Sequence, residues 1–143
     1  YQLDKVAAVV PGGRLRQDSV AAGLAAVPEE TELVAVHDGA RPLVSPALIE
    51  ACLAGARRTG AAMAAIPVKD TLKAVDARGT VLRTVNREGL WQAQTPQVAR
   101  VDLLRRAFAA VAEAQFVGTD EAALLEHLGI EEGLWMRFHI VHK

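Results

Sequence analysis

Short apolar runs alternate with segments of helical spacing through the first half of the chain, and this order constrains the fold more than any other feature. Val6–Val10, Leu33–Val36 and Ala61–Val68 are short and apolar, which predicts buried strands. Residues 18–27 and 45–59 carry apolar side chains at helical spacing. This alternation of strands and helices is typical of a parallel sheet with helices on its faces. The sequence therefore predicts an α/β fold.

Capping residues mark the ends of both predicted helices. Asp18 or Ser19 can cap the first helix, since both side chains accept hydrogen bonds from free backbone N–H groups. Ser45 followed by Pro46 is an N-cap with proline at the first helical position, and Gly60 follows the last turn.

A predicted hairpin breaks the alternation. Thr71–Val75 and Thr80–Val85 flank the turn sequence Asp76-Ala77-Arg78-Gly79. Its strands carry polar side chains on both faces, so the hairpin cannot cover a core alone. We expect it to lie on another surface, such as a second subunit.

The rest of the chain predicts an extended segment, two helices and a last strand. Their expected positions are Leu90–Gln94 ending at Thr95-Pro96-Gln97, Val101–Ala114, a helix capped by Thr119 and closed by Gly129, and Trp135–Val141.

Composition narrows the function classes. The 143 residues are 51% hydrophobic, enough for one domain with a core. A formal net charge of −1 and 4% aromatic residues argue against nucleic acid as a partner. The apolar runs are far shorter than the roughly 20 residues of a membrane helix. No secretion signal opens the sequence. Cys52 is the single cysteine, so it forms no internal disulfide. We therefore expect a cytoplasmic protein with no membrane partner. Because both ends of the sequence lie close to predicted strands, we also expect the sequence to be part of a longer protein.

Three loops follow predicted strands, where ligands bind in open parallel sheets. They are Pro11–Ser19, His37–Pro42 and Lys69–Thr71. In the first, Gly12 and Gly13 permit close backbone approach ahead of a helix N-terminus, which suits a base, ribose or phosphate. A plain strand-to-helix turn is an equally good interpretation.

Charged side chains in the second loop and near the predicted hairpin allow two interpretations each. Asp38 could hold a ribose hydroxyl or Mg²⁺ and Arg41 a phosphate, or the two could pair and brace the loop. Arg83 and Arg87 could clamp a phosphate or be solvated charges.

A series of short motifs in fixed order resembles the 2-C-methyl-D-erythritol 4-phosphate cytidylyltransferase family of the non-mevalonate isoprenoid pathway. The resemblance covers about residues 9–128. The motifs are Gly12-Gly13-x-x-Arg16-x-Asp18-Ser19-Val20-x-x-Gly23-Leu24, Val36-His37-Asp38-Gly39-Ala40-Arg41-Pro42, Pro67-Val68-Lys69-Asp70-Thr71-Leu72-Lys73, Arg87-x-x-Leu90-Trp91-x-x-Gln94-Thr95-Pro96-Gln97 and Thr119-Asp120-Glu121-Ala122.

The resemblance implies a Rossmann-like nucleotidyltransferase sheet with helices on both faces and a projecting β-hairpin arm that forms a homodimer. It implies one domain over residues 1–143, lacking the N-terminal part of the family domain, with the arm at 70–86. The implied reaction joins the cytidylyl group of CTP to 2-C-methyl-D-erythritol 4-phosphate with the aid of Mg²⁺ and releases pyrophosphate. Two alternatives remain: another polyol phosphate such as ribitol 5-phosphate, or a non-catalytic dimerising remnant.

The family resemblance also assigns roles to residues. Arg87 and His139 are the expected catalytic residues, and Asp38 is the expected magnesium ligand. The expected substrate-binding residues are Arg41, Asp38, Thr71, Thr119 and Thr95. The expected nucleotide-binding residues are Gly12, Gly13, Ser19, Asp38 and Gly39.

Two departures from the family pattern accompany these assignments. The glycine-rich triphosphate loop that opens the family pattern, and a lysine after it, have no match in this sequence. His139 stands where the family has a substrate-positioning lysine.

Overall fold

The computed structural model describes residues 4–131 and 138–143, with only the backbone of 130, 131 and 138. Its elements are α1 (Arg16–Ala25), β1 (Leu33–Val36), α2 (Pro46–Thr59), β2 (Ala61–Pro67), β3 (Leu72–Val75), β4 (Val81–Val85), β5 (Trp91–Arg100), α3 (Val101–Glu113), α4 (Glu121–Glu131) and β6 (Phe138–His142). No helix in the described ranges is long and apolar enough to span a membrane.

The main sheet is mixed, whereas the sequence pattern predicted a parallel one. Its strand order is β1-β5-β2-β6, with β5 antiparallel to both neighbours and β6 parallel to β2. The prediction was wrong because β5 comes from the second half of the chain and inserts between β1 and β2, which are themselves parallel. Strand pairing across that distance leaves no local signal.

Strand β5 continues through the proline at which the extended segment was predicted to end. Met63 pairs with Gln97 and Ala65 with Ala93, so the register shifts where Pro96 lies. A bulge tolerates a proline because the ladder is already interrupted there. The strand therefore reaches Arg100, and Gln94 and Thr95 lie just beyond the carboxyl end of β1, whose last pair is Val36 with Gln97.

Helices cover both faces of the sheet, as expected. On one face Ala61 and Ala99 pack under α1, α3 and α4, with Leu104 fully buried. On the other face Cys52 of α2 packs on Ala62 and its neighbours. The alternation of residues along β2 and β5 divides these two core clusters.

The segment Val6–Val10 is not a strand, which corrects the first prediction from the pattern. All its side chains are exposed, with Val9 90% exposed. A β-branched run becomes a strand only where a neighbouring strand pairs with it, and no described strand does so.

Three helix ends differ from the sequence interpretation. Helix α1 begins at Arg16, so Asp18 lies within its first turn and is not the residue before the helix. From there its Oδ2 accepts the Leu15 N–H at 2.9 Å. Helix α4 is capped by Asp120 rather than Thr119: its Oδ1 accepts the Ala123 N–H at 2.9 Å. That helix also runs past Gly129 to residue 131.

The predictions for α2, α3, β6 and the hairpin agree with the structure in place and type. Ser45 caps α2 by accepting the Leu48 N–H at 3.2 Å, and Gly60 ends it at φ 90°, a conformation that glycine adopts readily. Strands β3 and β4 form a separate two-stranded sheet. Residues 135–137 of the predicted last strand lie outside the described residues.

Candidate functional site

A polar cleft of about 290 Å³ lies at the carboxyl end of β1, where the sequence placed a ligand. It is lined by Arg16, Asp38, Arg41, Ala93, Gln94, Thr95, Gln97, Thr119 and Asp120. A second hollow of about 230 Å³ shares Arg41 and Thr95 with it. The expected residues Asp38, Arg41, Thr95 and Thr119 thus come together.

The loop after β1 is held by its own side chains and by two side chains of β5. Arg41 Nε donates to Asp38 Oδ2 at 3.2 Å, and Arg41 Nη1 donates to Gln94 on β5. His37 Nε2 lies 2.9 Å from the Arg41 carbonyl, and the Asp38 N–H donates to Thr95 Oγ1 at 3.2 Å. The pairing of Asp38 with Arg41 that the sequence left open is therefore confirmed. It orients the guanidinium at the wall of the cleft.

A buried carboxylate lies next to the cleft and pairs with Arg16 of its lining. Glu121, the first residue of α4, is 3% exposed and accepts two hydrogen bonds from Arg16, at 2.6 and 2.9 Å. The hydrogen bonds to Glu121 raise the pKa of the Arg16 guanidinium, against the opposing effect of burial. Arg16 stays charged and fixed.

Gln97 joins β5 to the start of α4. Its Nε2 donates to Asp120 Oδ2 at 2.9 Å and its Oε1 accepts the Ala122 N–H at 3.1 Å. The side chains of Gln97 and Asp120 are thereby engaged in hydrogen bonds at the start of α4. The exposed Thr119 precedes them at the rim.

The Gly12-Gly13 loop lies beside α1 and outside the cleft lining. The Gly13 N–H donates to Ser19 Oγ at 3.0 Å, and that hydroxyl is 3.3 Å from the Leu15 carbonyl. Gly12, Gly13 and Gly39 are exposed, so their backbone is accessible to a ligand.

The two expected residues of the hairpin also lie outside the cleft lining. Arg87 donates to the Lys69 carbonyl across the base of the hairpin, and both Arg87 and Thr71 are exposed.

His139 lies on the α2 side of the sheet, near the amino end of β2. It pairs in register with Ala62, and its Nε2 is 3.2 Å from Arg58 Nη2. The second hollow is lined by Lys143 as well as by Arg41, and the backbone N–H of Lys143 donates to the Ala65 carbonyl at 3.1 Å. Lys143 follows His139 by four positions and comes directly after the end of β6.

Within the described ranges, no three His, Cys, Asp or Glu side chains cluster to hold a metal. Mg²⁺ needs only one or two carboxylates when a substrate supplies phosphates. Asp38, whose side chain is 36% exposed in the cleft, fits that requirement.

Sequence reasoning missed Arg16, Gln94, Gln97, Asp120 and Lys143 as parts of the site. The first four stand in the recurring motifs, so motif membership could have found them. Lys143 gave no such signal.

Comparison with known proteins places these motifs in a family. The model of the family described as IspD: 2-C-methyl-D-erythritol 4-phosphate cytidylyltransferase matches residues 2–135. The bifunctional enzyme IspD/IspF of Desulfotalea psychrophila is 55% identical over 130 residues, 91% of this chain and 33% of that protein. The 2-C-methyl-D-erythritol 4-phosphate cytidylyltransferase of Pelotomaculum thermopropionicum is 51% identical over 125 residues, 87% of this chain and 52% of that protein.

Solved structures of proteins with the same family name are also similar to this chain. The 2-C-methyl-D-erythritol 4-phosphate cytidylyltransferase of Thermus thermophilus superposes with a TM-score of 0.81 at 38% identity, covering 93% of this chain and 61% of that one. The chain spans from a third to about half the length of the two curated relatives above.

Proposed function

The chain belongs to the 2-C-methyl-D-erythritol 4-phosphate cytidylyltransferase family, and on that premise we propose that it transfers a cytidylyl group from CTP to 2-C-methyl-D-erythritol 4-phosphate. The products are 4-diphosphocytidyl-2-C-methyl-D-erythritol and pyrophosphate, in isoprenoid precursor synthesis. The observation that carries the proposal is the cleft that brings Asp38, Arg41, Thr95 and Thr119 together. A cytoplasmic location accompanies the proposal, because CTP is supplied there.

In this reaction the protein positions the two substrates and stabilises the charge that develops on the phosphates. A phosphate oxygen of the polyol phosphate attacks the α-phosphorus of CTP, and the bond to pyrophosphate breaks. No bond to the protein forms. Groups that are already oriented therefore supply the rate enhancement.

Arg41 is the side chain best placed to bind a phosphate. Its guanidinium is oriented by Asp38 and Gln94 and borders both hollows. Fixed guanidinium forks bind phosphate oxygens in pairs. The hydroxyls of Thr95 and Thr119 line the same cleft and would bind the polyol phosphate beside it.

Asp38 would hold Mg²⁺, which when bound neutralises triphosphate charge and orients the leaving group. The backbone of Gly12, Gly13 and Gly39, with Ser19, would bind the nucleotide. The support is the exposed main chain of all three glycines, with Gly12 and Gly13 just ahead of the N-terminus of α1 and Gly39 next to Asp38 in sequence.

We propose that Arg87 and Thr71 complete a site together with the cleft of a second copy. They lie at the base of the hairpin, which is detached from the main sheet and exposes Val75, Val81 and Leu82 at 53, 56 and 65%. A lone two-stranded hairpin is marginally stable in water, and these apolar side chains would be covered by a partner. Sedimentation equilibrium of the protein measures the expected dimer.

The ring of His139 contacts Arg58 on the α2 side, and His139 lines neither hollow. Lys143 lines the hollow that Arg41 borders. A direct comparison of His139→Ala with Lys143→Ala would assign the substrate contact to one of them.

The test is pyrophosphate release by the protein expressed from its complete open reading frame, with CTP and Mg²⁺. One reaction contains 2-C-methyl-D-erythritol 4-phosphate and a parallel one ribitol 5-phosphate. Release with the first substrate alone is the expected result. Release with ribitol 5-phosphate alone would transfer the assignment to another polyol phosphate. No release in either reaction, from folded dimer, would favour a non-catalytic remnant.

A further inference from the structure

Arg16 lies where three parts of the fold meet, and none of the roles above uses it. It is the first residue of α1, it forms the bidentate pair with Glu121 at the start of α4, and its Nη2 lies 3.8 Å from Asp38 Oδ1. It also lines the cleft.

Glu121 requires the charge of Arg16. The Glu121 side chain is 4% exposed, and both its oxygens accept hydrogen bonds from Arg16. A carboxylate removed from water is stable only when a cation and donors replace its hydration. The pair therefore fixes the guanidinium in one place.

The two oxygens of Asp38 have different surroundings. Oδ2 accepts a hydrogen bond from Arg41 Nε at 3.2 Å. Oδ1 is attracted by Arg16 at 3.8 Å, too far for a hydrogen bond, and no described residue donates to it. Without Arg16, the Asp38 carboxylate could turn both oxygens toward the fork of Arg41, a favoured geometry for this pair.

We propose that Arg16 is a positioning residue, which holds Asp38 with Oδ1 free to face the cleft, and that Glu121 fixes Arg16 for this purpose. The consequence for catalysis rests on the proposed function, in which Asp38 holds Mg²⁺. The geometric statement about Asp38 stands independently of it.

A second set of contacts carries the structural connection between α1 and the chain before α4. Gln17 Oε1 accepts the Gly118 N–H at 3.0 Å, and Gln17 Nε2 donates to the Phe116 carbonyl at 3.3 Å. Arg16→Lys therefore keeps the charge beside Glu121 and leaves this connection in place. It removes only the fixed fork.

The test compares Arg16→Lys with Arg100→Lys. Arg100 forms a similar bidentate pair with Asp102, at 3.1 and 2.9 Å, outside the cleft lining. Arg16→Lys is expected to raise the Mg²⁺ concentration for half-maximal pyrophosphate release about 10- to 100-fold, the usual cost of losing a residue that orients a metal ligand. Arg100→Lys should leave it unchanged. Glu121→Gln should act like Arg16→Lys.

Crystal structures of the unaltered protein and of Arg16→Lys supply the second measurement. Asp38 Oδ1 should turn from the cleft to Arg41 in the variant. An unmoved Asp38 together with an unchanged Mg²⁺ response would overturn the inference. If the unaltered protein releases no pyrophosphate, the proposed function fails, and the orientation of Asp38 alone decides the inference about Arg16.

Discussion

Gly13→Ala tests whether the loop before α1 binds the nucleotide. A Cβ added at Gly13 would overlap the Cβ of Asp18 and lie 3.0 Å from its Oδ2. The Asp18 Cβ is bonded directly to the backbone of α1 and cannot rotate away, so the loop itself must shift.

The loss in the free energy of unfolding can be worked out from the two hydrogen bonds that this shift disturbs. The shift disturbs the hydrogen bond from the Gly13 N–H to Ser19 Oγ, 3.0 Å, and that from the Leu15 N–H to Asp18 Oδ2, 2.9 Å. Each such bond contributes about 0.5–1.5 kcal/mol, so the free energy of unfolding should fall by about 1–3 kcal/mol. CTP affinity should fall at the same time, because the loop backbone has moved.

Gly23→Ala, inside α1, is the matched control. A Cβ there meets nothing within 4 Å. Replacing a glycine inside a helix by alanine should raise the free energy of unfolding by about 0.5–1 kcal/mol. CTP affinity should not change.

Urea unfolding and calorimetric titration with CTP measure both variants. The steric argument is wrong if Gly13→Ala is as stable as the unaltered protein. The assignment of the loop to the nucleotide is wrong if Gly13→Ala loses stability but keeps its CTP affinity.

Three further predictions concern single side chains. Arg87→Ala should lower turnover about 10²-fold or more while the free energy of unfolding changes by less than about 0.5 kcal/mol, with the exposed Arg78→Ala on the hairpin turn as control; a collapse of the melting temperature with activity would make Arg87 a structural brace. Asp38→Asn should weaken Mg²⁺-dependent CTP binding while Asp102→Asn does not, measured by titration with and without Mg²⁺; equal affinities would leave Asp38 as a loop brace only. The hydrogen bond from the Thr80 N–H, with a further contribution from the Arg78 N–H, lowers the pKa of Asp76. The hairpin should therefore keep this stabilisation above pH about 4 and lose it as the pH falls through the lowered pKa. Amide exchange at the turn should show this acid dependence, and its persistence in Asp76→Asn would refute the assignment to Asp76.

Local signals in the sequence were sufficient where the structure is local. Helix α2 has its cap, its proline and its terminal glycine within one continuous segment, and the hairpin has its turn residues between its two strands. The same holds for the loop that carries Asp38 and Arg41, since both follow closely after one strand. Their pairing was one of two interpretations that the sequence left open.

Pairing between distant segments could not be predicted from the pattern. An extended run shows its periodicity but not its neighbour, so Val6–Val10 resembled a strand and β5 gave no sign of inserting antiparallel between β1 and β2. The partner of Arg16 was hidden for the same reason, because Glu121 lies 105 positions away along the chain.

The sequence by itself determined the α/β class, which follows from periodicity, and the family, which follows from the order of the motifs. Only the tertiary structure decided which side chains share the cleft. The position of a residue along the sheet depends on strand register, and Lys143 rather than His139 lines the hollow that Arg41 borders. Register and strand order arise from packing between segments distant in the chain, and those contacts exist only in the folded molecule.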